Sequence, residues 1–411
     1  MIAKQQDGRR RVVVTGLGIV SPIGNDPVQV TQSLRRGRCG IHFIEEYAQL
    51  GLTSQIAGIP SLSNEPIIDR KLRRFMADAA IYAHHAMRKA IDDARLTAAE
   101  IAHPRTGLIA GSGLGSPAMH FQAVDIFRQR GLAKVLPYYV PQIMGSTVSA
   151  CLATAFGLQG PSYGITSACA TSAHCIGNAT DQIRHGILDR AFVGGAEEVT
   201  WITTMIFDAM GALSTLHNDT PQHASRPFDR DRDGFVIAGG AGILVLEAEE
   251  TARARGAHIY AEVVGFGASS DGKDMVQPDP NGIVRAMQAA LDDAGQPKID
   301  YINAHATSTP LGDTAELAAI QQVFGSTAPP ISSTKGLTGH AIAAAGVHEA
   351  IYSLLMMEGG FVAANANLEN PDACCECLPI IRSLRNEAVD CVLSNSLGFG
   401  GTNVSLVFRR A

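Results

Sequence analysis

At 411 residues the chain is too long for one ordinary core and is expected to hold two or three domains, or two intimately packed halves. With 46% apolar and 18% charged residues it can fill large buried layers, which excludes a disordered chain. A net charge of −6 argues against nucleic acid or an anionic membrane as the general partner.

Residues 1–11 are polar and basic and run into the strand-like Arg11-Val12-Val13-Val14-Thr15 without the apolar core of a secretion signal. No apolar run is long enough to span a bilayer, so the expected compartment is the cytosol. Strand-like β-branched runs then alternate with Ala-rich helical runs, which predicts α/β layers with largely parallel sheets and helices on both faces. Residues 11–21 predict a strand that enters a tight turn at Gly16-Leu17-Gly18. That turn lacks the third glycine of a dinucleotide loop, and Pro22 stands where the helix would start. Arg70-Lys71-Leu72-Arg73-Arg74-Phe75 is a dense basic cluster, either a solvated face or a docking surface for an acidic partner. Residues 77–95 predict a helix, 163–166 a short strand and 170–185 a helix. In the second half 258–269 predict a strand and turn, 284–294 a helix and 301–304 a buried strand, in the rhythm of the first half. The eight cysteines read as free thiols, and Cys374, Cys375 and Cys377 are too crowded for a disulfide framework and read as structural.

Four segments carry residues able to do chemistry. In Ser167-Ala168-Cys169-Ala170-Thr171, Cys169 stands where a strand-end turn passes into a helix, a position expected to lower a thiol's pKa. Such a cysteine is either a nucleophile or a small buried hydrophobe. His305 ends a buried strand and is followed by Thr307 and Thr309, with Glu316 on the next helix. In Lys335-Gly336-Leu337-Thr338-Gly339-His340, His340 is expected near a helix N-terminus, which disfavours its cationic form. Asn395-Ser396-Leu397-Gly398-Phe399-Gly400-Gly401 is either a loop whose backbone N–H groups approach a substrate or a plain strand-to-strand turn. A cysteine, two histidines, a lysine and a glycine-rich loop together fit covalent acyl transfer better than hydride or phosphoryl chemistry.

At these segments the chain resembles the β-ketoacyl-[acyl carrier protein] synthases of dissociated bacterial fatty acid synthesis, from residue 12 to about 408, and most of all the type I enzymes. The resemblance implies a thiolase-like fold, two similar α/β halves stacked as five layers (αβαβα), and a homodimer. Residues 1–252 would hold the nucleophile and the dimer interface, and 253–411 the histidines. It implies an acyltransferase that condenses an acyl chain on Cys169 with malonyl-[acyl carrier protein] in fatty acid elongation, without metal or organic cofactor. By the same resemblance the N–H groups of Cys169 and Phe399 form an oxyanion hole, His305 and His340 promote decarboxylation, and Lys335 with Glu349 organises the histidines. Thr307 and Thr309 bind the phosphopantetheine arm. Leu114, Ile206, Phe207, Leu397 and Phe399 match the acyl pocket and its gate, and Lys71, Arg74, Arg130 and Lys134 match residues that dock acyl carrier protein.

The chain departs from the family pattern at Ala306 and Ala343, each adding a methyl near the malonyl site, and at Leu397, where a loop aromatic is lost. A thiolase acting on coenzyme A would need a second cysteine near the C-terminus, and residues 394–403 have none. A chain-length partner subunit would have lost its nucleophile. A specialised polyketide or aryl-polyene ketosynthase keeps every catalytic residue and stands as the alternative reading.

Overall fold

The computed structural model describes residues 8–411, so the first seven residues of the polar N-terminal stretch lie outside it. The strands are β1 (Val12–Val20), β2 (His42–Phe43), β3 (Ile56–Ala57), β4 (Thr106–Gly111), β5 (Ser162–Tyr163), β6 (Arg190–Glu197), β7 (Gly240–Ala248), β8 (Ala261–Ser270), β9 (Tyr301–Asn303), β10 (Ile331–Ser332), β11 (Cys391–Gly398) and β12 (Thr402–Arg409). Strands β2 and β3 form a small sheet of their own. The other ten run in the order β10-β9-β11-β12-β8-β1-β7-β6-β4-β5.

That order divides at the β1–β8 junction, where only Val13↔Glu262 and Val14↔Ala261 pair. On each side the five strands repeat one topology, third-second-fourth-fifth-first, with parallel pairs β4–β5 and β4–β6 answered by β9–β10 and β11–β9. The sheets are mixed and not largely parallel: β6–β7, β7–β1, β11–β12 and β12–β8 are antiparallel. For β11 and β12 the cause is the connection, since three residues can turn a hairpin and a parallel crossover needs a dozen or more.

Helices Thr171–Arg184 and Ala345–Gly359 lie between the halves, each touching strands of both. From Ala345 to Met357 every residue of the second is buried, as expected of a helix apolar all round. Asp78–Ala94 and Thr147–Phe156 cover the outer face of the first half, and Pro280–Asp293, backed by Pro310–Phe324, covers the second. Three apolar clusters fill the central layer and the two outer interfaces. This is the five-layer thiolase-like architecture.

Predicted and observed elements agree closely at 77–95 and 170–185 and differ at three places, one being the strand expected at 163–166, which is observed as Ser162–Tyr163. Helix Pro280–Asp293 starts earlier than 284, because Asp279 accepts from Asn281 N at 3.1 Å and Pro280 occupies the first helical position. Gly16 and Gly18 do not form a turn. They remain in β1, with an irregularity between Val14 and Gly16, and they let helix Asp78–Ala94 press onto the strand. A Cβ on Gly16 would stand 2.6 Å from the Ala94 Cβ.

Candidate active site

Past β5 the chain folds into a sharp turn with Ala168 at φ 49°, a conformation strained for a residue bearing a Cβ. Thr171 Oγ1 accepts from Ser167 N at 2.8 Å and holds the turn. Cys169 follows, one residue before the cap of helix Thr171–Arg184. The residue is only partly covered, yet its sulfur is enclosed. Burial pushes the thiol up to about 12, while the charge of Lys335 and a hydrogen bond from Phe399 N–H pull the other way. The expected lowering at the helix end is therefore overturned. Ala170 N donates to Ser167 O at 3.0 Å and Thr171 N to Ala168 O at 3.2 Å, so those N–H groups close the turn and leave the sulfur to desolvation.

His305 stands two residues past the end of β9, after Ala304. The Glu316 carboxylate accepts from His305 N at 2.9 Å, from Ala306 N at 2.7 Å and from Asn395 Nδ2 at 3.0 Å, which binds the end of β9 to β11. Sequence reading placed Glu316 on this helix without a role, and only the fold shows that it bridges the two strand ends. His340 sits in a loop held on both sides, its N–H donating to Val236 O at 2.8 Å and its carbonyl accepting from Ala238 N at 3.0 Å. The two imidazoles stand edge to face, 5.1 Å between centroids. One atom from each of Cys169, His305 and His340 lies within 4.8 Å of the others.

Lys335 and Glu349 form a buried ion pair behind this group, and Lys335 Nζ is 3.3 Å from His305 Nδ1. An ammonium can only donate, so Nδ1 accepts and the His305 proton resides on Nε2. Burial, and then the nearby Lys335, hold both imidazoles well below their ordinary range, so both are neutral at pH 7. Burial raises the Glu349 carboxyl to about 7 against the pull of Lys335. Among the described residues neither ring nitrogen of His340 has a hydrogen-bond partner although both are buried. A thiol and two imidazoles are also zinc-type donors, but the Lys335 ammonium at their back opposes a further cation.

The three residues line a cleft of about 370 Å³ whose walls include Phe207, Phe235, Thr307, Thr309, Leu397 and Phe399. Thr307 Oγ1 and Thr309 Oγ1 are 3.1 Å apart on one side. Gly398 packs on the turn that carries Cys169, where an added Cβ would come within 2.9 Å of Ser167 O and 3.2 Å of Cys169 N. The Asn395–Gly401 segment thus joins both readings: β11 and β12 enclose a hairpin turn, and that turn sets the Phe399 N–H at the sulfur. Leu114 and Ile206 are not in the cleft wall; they are 42% and 50% exposed, beside helix Pro117–Arg130. Lys71, Arg74, Arg130 and Lys134 are exposed and also away from the cleft. The segments that carry them are linked, since Arg74 lies over the Tyr138 ring and Phe75 meets that ring at 5.2 Å.

Residues 9–252 match the family model of the β-ketoacyl synthase N-terminal domain, and residues 260–369 that of the C-terminal domain. The 3-oxoacyl-[acyl-carrier-protein] synthase 1 of Escherichia coli (strain K12) is 55% identical over 403 residues, covering 98% of this chain and 99% of that protein. A β-ketoacyl synthase from Burkholderia phymatum STM815 superposes with a TM-score of 0.92 at 37% identity, over 98% of this chain and all of that one. A ketosynthase solved with its type II polyketide acyl-carrier protein gives 0.90 at 31% identity, with the same coverage. By both domain models and full-length identity, the chain belongs to the β-ketoacyl synthase family.

Proposed function

We propose that this chain is a 3-oxoacyl-[acyl carrier protein] synthase of fatty acid elongation, an acyltransferase that joins a Cys169-bound acyl chain to malonyl-[acyl carrier protein]. The observation that carries this reading is the convergence of Cys169 with two neutral imidazoles in one cleft of a β-ketoacyl synthase. In the first half-reaction the sulfur attacks the acyl thioester carbonyl while its proton passes to an imidazole. The N–H groups of Cys169 and Phe399 face the developing oxyanion, and collapse expels the carrier thiol, which regains the proton. In the second, the malonyl carbon–carbon bond breaks and its electron pair becomes an enolate as carbon dioxide leaves. His305 Nε2–H and His340 Nε2–H stabilise the enolate oxygen. The enolate carbon attacks the acyl carbonyl, and Cys169 leaves as thiolate and is reprotonated.

Around this chemistry Thr307 and Thr309 hold the phosphopantetheine arm, and Lys71, Arg74, Arg130 and Lys134 receive the acidic carrier. Residues 1–252 supply the nucleophile and 253–411 the histidines. Helix Pro117–Arg130 buries none of its residues, and Phe121, Phe127, Leu132 and Val140 are 52–73% exposed, which supports a homodimer that covers this face and brings Leu114 and Ile206 to the acyl pocket. No helix among the described residues is long and apolar enough to cross a membrane, which accords with a cytosolic enzyme.

Incubation of the purified protein with acyl- and malonyl-carrier should yield 3-oxoacyl-carrier and carbon dioxide, with the trapped acyl group on Cys169. An adduct on Cys151 or Cys175 overturns the assignment of the nucleophile, and turnover confined to polyketide intermediates overturns the elongation reading.

A further inference from the structure

Residues 372–378 lie on the outer side of the second half, against helix Pro310–Phe324. They contain Cys374-Cys375-Glu376-Cys377, a C-x-x-C spacing with a third cysteine inside it. The structure gives the three thiols different surroundings. Cys375 is buried with its Sγ 3.5 Å from Phe228 O, Cys374 is half-buried, and Cys377 is exposed. Asp372 caps the short turn Ala373–Cys375, accepting from Cys374 N at 3.4 Å, and the turn continues through Cys377. Side chains three apart on a helical turn stand roughly 5–6 Å apart at Cβ, and a disulfide wants about 3.5–4.5 Å. Cys374 and Cys377 can be bridged, but only by tightening the turn.

We propose that Cys374 and Cys377 form a thiol–disulfide exchange site for low-molecular-weight disulfides, and that closing the bridge loosens one wall of the catalytic cleft. The Cys374 thiolate attacks one sulfur of the small disulfide; that S–S bond breaks and the first small thiol leaves with a proton. The Cys377 sulfur, its proton lost to water, then attacks the Cys374 sulfur and expels the second small thiol. The two protein thiols lose two electrons and the small disulfide gains them. Thr314 Oγ1 reaches the Cys374 sulfur at 3.9 Å, while the Cys375 S–H is directed to Phe228 O and its burial keeps Cys375 out of the exchange.

The route to the cleft is continuous. Asp372 Oδ2 is 2.7 Å from Arg232 Nη1, and the same guanidinium donates to Thr309 O at 3.3 Å and Pro310 O at 3.1 Å, two residues of the cleft wall. Thr314 Oγ1 bridges Arg232 Nη2 at 3.1 Å to Cys374 Sγ at 3.9 Å. Tightening the turn moves Asp372 and releases the clamp on Thr309 and Pro310. That consequence rests on the carrier-substrate reading of the cleft; the exchange itself does not.

The test treats the whole protein with glutathione disulfide, alkylates the remaining thiols and maps the peptides, which needs no turnover. A Cys374–Cys377 disulfide with Cys375 alkylated is expected, and Cys377→Ser should stop at a glutathione adduct on Cys374. Alkylated Cys374 in the treated protein overturns the site. In parallel, treatment should raise KM for carrier-bound substrate by about threefold or more with a smaller change in kcat, reversed by dithiothreitol and absent from the Cys374→Ser/Cys377→Ser variant. A bridge that leaves KM unchanged, or a KM shift that persists in the double variant, overturns the coupling to the cleft. If the reduced enzyme turns over no carrier substrate at all, the functional reading fails while the peptide map still decides the exchange site.

Discussion

At the scale of single residues, the thiol of Cys169 changes the expected order of events. Burial pushes the thiol up to about 12, which disfavours a preformed thiolate, so in the proposed mechanism the proton moves as sulfur attacks. Alkylation of Cys169 by iodoacetamide should therefore rise steadily with pH through pH 9; a plateau between pH 6 and 8 would show a thiolate already present. The same fact divides the labour of the histidines. With its proton on Nε2 and its Nδ1 facing Lys335, His305 has no free nitrogen for the thiol proton, so in the proposed mechanism that proton passes to His340, and His305→Ala should lower carbon-dioxide release by about 10²–10³ and acyl transfer far less. Single-turnover acylation and carbon-dioxide release, measured separately, check this, and equal losses in both steps contradict it. Glu316 is the residue sequence reasoning passed over. Its two oxygens accept three N–H groups, and in Glu316→Gln one acceptor becomes a donor facing a buried N–H. A loss of about 1–3 kcal/mol in stability is expected, read from the urea midpoint, together with a fall in kcat as His305 loses its anchor.

At the scale of elements, the turn between β11 and β12 controls the nucleophile from across the cleft. Gly398→Ala would press its Cβ on Ser167 O and Cys169 N and push the Phe399 N–H off the sulfur, so acylation should slow by at least tenfold while the fold persists. Unchanged acylation would mean that the turn yields without moving that N–H. The central helix Ala345–Gly359 carries a pH-sensitive group. His348 is buried, its Nε2 without a hydrogen-bond partner among the described residues, and burial lowers it from 6.5 to about 4. Above pH 6.5 neither state is protonated and the folded state keeps its full stability. As pH falls from 6.5 towards 4, the unfolded chain takes a proton that the folded one refuses, a loss on the order of 3 kcal/mol. His348→Gln should flatten the fall in urea midpoint between pH 7 and pH 4.5, and an unchanged slope would place the acid sensitivity elsewhere. Elements with a clear period, such as 77–95 and 170–185, were legible in the sequence because burial on one face sets their spacing. Gly16 and Gly18 were misread as a turn because their reason is the helix lying over β1, and no local pattern records a neighbour 70 residues away. Mixed strand direction was hidden for the same reason, since a strand's composition does not say which way its partner runs.

At the scale of the whole molecule, Cys169, His305 and His340 come from halves that share one topology, and residue types alone suggested the set without showing that it meets. The surface asks a different question, because the basic cluster at 70–74 belongs to a chain whose net charge is −6. Helix Arg70–Arg73 has no buried residue, and Asp69 caps it by accepting from Lys71 N at 2.7 Å. Lys71 is exposed, and Arg74 lies over the Phe75 and Tyr138 rings, which fixes its guanidinium at the surface beside the segment that follows Lys134. None of these cations lines the cleft, so in the proposed function they act on an acidic carrier through encounter and not through chemistry. Lys71→Glu with Arg74→Glu should raise KM for carrier-bound acyl substrate and weaken its dependence on salt. It should leave turnover of a small acyl-pantetheine thioester unchanged, since that substrate has no acidic surface to steer. Steady-state kinetics on both substrates across ionic strength make the measurement. Equal losses on both substrates, in a protein that stays folded, would show that the cluster supports the fold near Tyr138 and does not receive the carrier.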